Sequence, residues 1–320
     1  MEKNKYYIRI RNTRFVRKAI HATRKIILPG FDGLPLYDVL VFFVKGLIDG
    51  AVTTRASSVA FKFFIALFPA IIFMFTLIPY IPVHDFQATL LGTISGAIPE
   101  NFYAIVESTI EDIIMRQHSG ALSIGFVLTL YFASNGILGM ITAFNSTTHS
   151  IETRGIVKQY MISIVLVLIL FMIVLISVAS IIGGTAILDY LREQGIFTNT
   201  LVYFLIKFTK WIVVVLMLFF AVSFIYYLAP ARRAHFRFIS AGSTLATLLF
   251  LLTTLGFNFY VNQFANYNVL YGSIGTLIVI MMWFYFNSLV LIVGFELNAS
   301  IAGARHHKDR VLDVLKDPTV

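Results

Sequence analysis

Apolar residues in this chain run in long blocks. Six of them, roughly 57–80, 121–144, 160–187, 201–228, 238–260 and 273–303, hold few charges. About 20 such residues carry an α-helix across about 30 Å of hydrocarbon, so the pattern predicts six transmembrane spans. A chain crossing lipid this way satisfies its backbone within each helix, and the expected fold class is an all-α polytopic membrane protein. The block before the first span, PLYDVLVFFVKGLIDGAVTT at 35–54, is broken by Asp38, Lys45 and Asp49. It reads as an interfacial or bundle-covering pre-helix over about 36–54 rather than a seventh span. Between spans one and two, Phe102, Ile105, Val106, Ile110, Ile113 and Ile114 recur at helical spacing opposite Glu107, Glu111 and Asp112, which predicts an outward amphipathic helical cap. The expected organisation is a basic arm at 1–35, a six-helix membrane domain at 36–303 and a tail at 304–320.

Composition agrees: 58% of the 320 residues are hydrophobic and 13% charged, far from the soluble norm of about half apolar and a quarter charged. There is no cysteine, which removes disulfides, thiolate metal sites and thiol nucleophiles. The net charge of +9 would raise nucleic acid as a partner in a soluble protein. Here the distribution gives it another origin. Residues 1–36, 146–159, 229–237 and 304–320 hold 18 Lys and Arg, whereas 82–120, 189–200 and 261–272 hold two. The positive-inside rule then places both termini in the cytoplasm. Membrane lipids, not nucleic acid, are the expected partners, with envelope-assembly proteins as a further class.

Glu296, in GFELNAS at 294–300, follows about twenty uncharged positions. A carboxylate inside hydrocarbon costs about 2.5–3.5 kcal/mol even on lenient insertion scales, so it is expected to face the bundle and find a partner. Lys62 on span one, about seven residues in from Arg55, is expected at a depth similar to that of Glu296, and a pair of Glu296 with Lys62, or with Arg55 reaching down, would offset the burial. Three roles stay open: a structural clamp between spans one and six, a polar cavity for a head group or proton, or snorkelling to the interface. Ser134, Asn135, Asn145 and Asn287 are candidates for interhelical hydrogen bonds. Pro69 is expected to kink span one. Gly136, Gly139, Gly183 and Gly184 permit close helix approach, and Ser123-Ile124-Gly125 echoes Ser273-Ile274-Gly275 as a weak internal repeat.

Several stretches resemble the YihY/BrkB-like family of bacterial inner-membrane proteins: RASSVAFKFFIALFPAIIF from Arg55, LSIG at 122–125, AGSTLATLLFLLTTLGFNFYV at 241–261 and NYNVLYGSIGTLIVIMMWFYFNSLVLIVGFELNA at 266–299, with Gly272 and Gly275 as structural positions in the last. The resemblance covers about 37–303. It implies six helices, an inner-membrane location and an association with envelope lipid or lipopolysaccharide handling. The sequence departs from the family pattern at Lys62, where an aromatic or apolar residue is usual, and at 133–136, where a basic residue is often found. An old ribonuclease label also attaches to some members.

Catalysis has little footing in the sequence. The seven histidines fall in predicted loops or tails, none in HExxH spacing, and no P-loop or GxSxG elbow is present. No metal site, cofactor or catalytic residue is expected. The expected function is movement or accommodation of an amphipathic envelope molecule, a lipid or lipid-linked glycan, through a polar interior lined by Arg55, Lys62, Asn135, Asn287 and Glu296. A non-transporting assembly or scaffold protein is the alternative.

Overall fold

A computed structural model describes residues 21–80, 119–147, 154–193, 200–231, 237–263 and 267–316. Within them the chain forms helices α1 (Leu36–Asp49), α2 (Val52–Leu77, followed by a 3-10 turn Ile78–Tyr80), α3 (Ser119–Asn145), α4 (Ile156–Glu193), α5 (Thr200–Leu228), α6 (Ala241–Gln263) and α7 (Tyr267–Lys316). No strand occurs among the described residues. Six of these helices, α2 to α7, are long and apolar enough to cross a membrane. The amphipathic cap expected at 98–115 and most of the basic arm lie outside the described residues.

Several boundaries differ from the expected spans by a few residues, α4 running from Ile156 to Glu193 and α7 starting at Tyr267, and two differences have a clear local setting. The pre-helix ends at Asp49, not near 54, because Gly50 caps α1 by donating its N–H to the Gly46 carbonyl, and Ala51 adopts a left-handed φ of 47° that no helix continues through. The chain turns there and α2 begins at Val52, about five residues early. At the other end α7 does not stop near 303. It runs for 50 residues, about 75 Å at 1.5 Å per residue, so its last turns carry the charged stretch RHHKDR beyond the apolar region. Pro69 lies inside α2 without ending it.

The spans form a ring. Each of α2 to α7 packs mainly on its sequence neighbours, α7 closes back on α2, and α1 lies along α7. Burial within the ring is one-sided. Buried side chains crowd the first part of α2, the end of α3, the start of α4, the end of α5, the start of α6 and residues 288–301 of α7. On the other half, among the described residues, none is buried on α2 beyond Ala66, on α4 beyond Leu166, on α5 before Val222, on α6 beyond Thr247, or on α7 from 277 to 287. On α3 the only described residue buried before Ser134 is Gly125, which lies against Phe73 of α2. Eleven successive helical residues sample every face at 3.6 per turn. Over 277–287 of α7 both faces are therefore at most half-buried, with Phe284 against Phe63 and Trp283 against Phe257. Among the described residues the ring is densely packed at one end and thinly packed at the other, the open half.

In lipid there is no hydrophobic force between helices, so close approach rests on small residues and van der Waals contact. That is where the packed half has them. A Cβ on Gly294 would sit 2.5 Å from the Tyr226 hydroxyl, 2.7 Å from the Ala246 Cβ and 2.8 Å from the Gly242 carbonyl oxygen. Gly294→Ala should therefore destabilise the protein by about 1–3 kcal/mol, the usual cost of overpacking. Gly256→Ala, at an exposed position of α6 with nothing within 4 Å, should be neutral or slightly stabilising. Thermal unfolding of both variants in detergent checks this; equal midpoints would mean that the α6 to α7 contact is not tight.

Candidate functional site

GFELNAS occupies the centre of the packed half, and its residues divide the work by helix face. Phe295 stacks on Phe144 of α3 with centroids 4.2 Å apart and planes 10° from parallel, and Tyr226 of α5 meets both edge-on, at 5.8 and 5.7 Å. The Tyr226 hydroxyl donates to the Leu291 carbonyl at 2.6 Å, which satisfies a polar group that burial would otherwise penalise. Asn298, one turn beyond Gly294, accepts from the Gly242 N–H at 2.8 Å and donates to the Ser240 hydroxyl at 2.9 Å. It thereby serves the free N–H groups at the start of α6.

Glu296 points to the remaining side, where α1, α2 and α7 meet. It is fully buried, and Arg55, 9% exposed, donates from Nη2 to its Oε2 at 3.2 Å and from Nη1 to the Ala143 carbonyl of α3 at 2.8 Å. Of the two partners considered from sequence, Arg55 is the one the structure supplies; the Lys62 alternative is not formed. The reason is axial: Phe63 stacks on Phe284 of α7, so Lys62 lies level with a part of α7 several turns before Glu296, and it rests on Gly139 of α3, where an added Cβ would come 2.5 Å from its Cδ and 3.1 Å from its Nζ. Gly46 of α1 and Gly50, which caps its C-terminus, lie one turn apart and close over the pair. A Cβ on Gly46 would fall 2.2 Å from Glu296 Oε1, and one on Gly50 2.7 Å from Arg55 Nη2. Glu296 Oε1 and Arg55 Nε have no hydrogen-bond partner. The pair thus rests on a single bond longer than the 2.7–2.9 Å typical of charge-assisted contacts.

The other expected site residues lie in a separate layer at the boundary between the packed and open halves. Phe63 of α2 rests against Gly136 of α3 and stacks on Phe284 of α7 at 6.5 Å, which brings Lys62, Asn135 and Asn287 to one level. Asn135 is half-buried. Asn287 donates to the Trp283 carbonyl within its own helix at 2.6 Å, so it is not the interhelical bond expected, and its Oδ1 is buried without a partner, as is the Ser134 hydroxyl. Asn145, the last residue of α3, accepts from the Ala231 N–H at 3.3 Å, in the segment just past the end of α5. Gly272 and Gly275 fall within α7, and Gly275 is buried.

Two charged features escaped the sequence reading. Asp32, at φ 52° in the turn before α1, pairs with Arg237 at 3.0 Å and Arg305 at 3.4 Å. Arg154 donates to the Leu228 and Ala229 carbonyls at 3.4 and 3.2 Å and also to the Pro230 carbonyl, so a cation caps the C-terminus of α5. Both arginines at Asp32 belong to the clusters counted for topology, and no spacing signalled their convergence. A shallow cleft beside Asp32 is lined by Gly30, Arg237, Ile239, Ser240, Asn298 and Ile301. Among the described residues, no three His, Cys, Asp or Glu side chains are grouped to hold a metal ion.

A family profile described as Virulence factor BrkB matches residues 43–314, a stretch that takes in both layers. The chain belongs to the BrkB family. It is 31% identical over 246 residues to the ribonuclease-like protein YfkH of Bacillus subtilis, covering 77% of this chain and 88% of that one. It is 22% identical over 276 residues to a UPF0761 membrane protein of Alteromonas mediterranea, covering 85% and 90%. A UPF0761 membrane protein of Vibrio campbellii is 30% identical over 102 residues, and there the matched stretch spans 32% of either chain. No solved structure matches. BrkB and UPF0761 proteins are not a known enzyme family, although the Bacillus relative carries its ribonuclease-like name.

Removing one partner of a buried pair leaves the other charge uncompensated and costs about 3–5 kcal/mol, whereas an apolar replacement of both is often neutral. Glu296→Leu and Arg55→Met should each lower the unfolding midpoint in detergent severely, and the double variant should regain most of the loss. Additive losses would show that the two side chains do not interact.

Proposed function

We propose that this chain is a multi-pass protein of the bacterial inner membrane, with its packed half at the cytoplasmic face, that admits an amphipathic envelope molecule, a lipid or lipid-linked glycan, into the open half of the ring and moves or presents it. The supporting observation is the burial pattern: among the described residues, buried side chains are concentrated over one half of the spans and are sparse over the other. A groove along the open half of α7, lined by Leu277, Ile278, Met281, Met282 and Tyr285, is almost wholly apolar. Such a wall accommodates acyl chains, and methionine adapts to varied shapes. It offers little to a bare ion or a free sugar. The orientation follows from the Lys and Arg distribution, which is concentrated on the loops of the packed end. The sequence carries no P-loop pattern, so movement would be facilitated, ion-coupled or driven by a partner.

A non-transporting assembly protein is the second reading. It is favoured by the sealing of Glu296, which is fully buried beneath Gly46; a path across the membrane would have to break that seal. The ribonuclease-like name of the Bacillus relative has no grouped acid or histidine cluster to rest on among the described residues.

Leaflet exchange of a fluorescent head-group-labelled lipid in vesicles, with and without the purified full chain, separates the two readings. Transport predicts a several-fold faster exchange with protein, and a further change with Glu296→Gln, which weakens the seal. Rates equal to protein-free vesicles for the wild type and the variant would leave the assembly reading.

A further inference from the structure

Between the span ends, over 52–77, 122–145, 156–181, 208–228, 241–261 and 277–303, Glu296 is the sole carboxylate in the sequence. The structure commits it to Arg55. Lys62 sits on the same stripe of α2, seven residues and about 10 Å further along the helix, half-buried against Gly139 and with no hydrogen bond or ion pair among the described residues. An ammonium at that depth needs a counter-charge, a polar head group or water. No side chain of the spans is left to supply the first. At its level the boundary layer holds polar groups not yet used, the Ser134 hydroxyl and Asn287 Oδ1, and the half-buried Asn135. Directly beyond lies the apolar open half.

Resting on the reading of that half as the entry for an amphiphile, we propose that Lys62 is the anchor for the anionic head group of the bound lipid. A phosphate-type oxygen would sit at its Nζ, head-group hydroxyls would use the amides of Asn135 and Asn287, and the acyl chains would extend along the open half. The class this selects is an anionic lipid with a hydroxylated head group. A positive charge at the floor of an apolar funnel attracts that combination and discriminates against uncharged lipids of the same tail.

Trp283 is a reporter built into the site: its carbonyl accepts from Asn287, and its ring packs on Phe257 at 4.9 Å. The chain's other tryptophan is the exposed Trp211, and Trp211→Phe leaves one fluorophore. In detergent, phosphatidylglycerol with brominated acyl chains should quench Trp283 at about tenfold lower concentration than brominated diacylglycerol, the scale of one charge-assisted contact. Lys62→Met should erase that preference while leaving diacylglycerol quenching unchanged, and Lys62→Arg should keep it. Lys62→Met should also unfold no earlier than the wild type, since it removes an unpaired cation. Equal quenching curves for the two lipids in the wild type, or a preference that survives Lys62→Met, would overturn the anchor while sparing the amphiphile reading. Absence of quenching by either lipid would overturn both. Inorganic phosphate that displaces the lipid at low millimolar concentration would reassign Lys62 to a free anion, against the proposal.

Discussion

A guanidinium and a carboxylate taken out of water each cost several kcal/mol, and their attraction returns that only where the geometry holds them together and closes out lipid. Arg55 and Glu296 meet this condition through contributions from four helices. α2 and α7 supply the charges, α3 supplies the Ala143 carbonyl, and α1 with its cap supplies two glycines whose missing side chains let that backbone lie on the pair. The requirement propagates outward. Gly46 and Gly50 fix the register of α1 on α7, the Gly50 cap and the left-handed Ala51 fix where α2 starts, and the start of α2 sets the level at which Arg55 can reach both partners.

The same level is where all six spans are packed. Small residues there, among them Ala56, Ala60, Gly242, Ser243, Ala246 and Gly294, allow backbones to approach, and the Phe144, Phe295 and Tyr226 rings fill what the glycines leave. Away from it the spans turn to Leu, Ile, Val and Phe, which pack no better on one another than on acyl chains. Neighbouring helices still touch, as Phe73 on Gly125 and Phe257 on Trp283 show, but nothing draws the ring shut. A bundle held at one end and loose at the other is what this distribution of side-chain size produces in lipid.

The number and approximate position of the spans were legible because hydrocarbon imposes one dominant requirement, about twenty apolar residues. So was the need of Glu296 for a cation from span one, since burial cost does not depend on the detailed packing. The choice of Arg55 over Lys62 was not legible. Both lie on one stripe of α2, and what separates them is level: α2 starts at Val52 and α7 runs on to Lys316, which sets Arg55 beside Glu296 and Lys62 about two turns beyond it, and neither helix end was marked by the apolar blocks. Asn287 misled for a related reason: a polar residue in a span can bond back into its own helix as readily as across to another. The extension of α7 to Lys316 was missed because a charged stretch ends an apolar block but does not end a helix.

The division of the two cations also bears on how the halves relate. Arg55 and Glu296 form a nearly neutral dipole, so a charge arriving about 10 Å away at Lys62 acts on two opposite ends and its effects largely cancel. Binding in the open half therefore gives little electrostatic push to the seal. Under the proposed function an opening of the packed half would begin at α1, whose Gly46 and its cap Gly50 lie directly on the pair, because shifting that backbone would let water reach Glu296 Oε1 and Arg55 Nε, the two atoms that lack hydrogen-bond partners. Under that function loading and release would then be separable steps: the first governed by the boundary layer around Lys62, and the second by α1, which packs along α7.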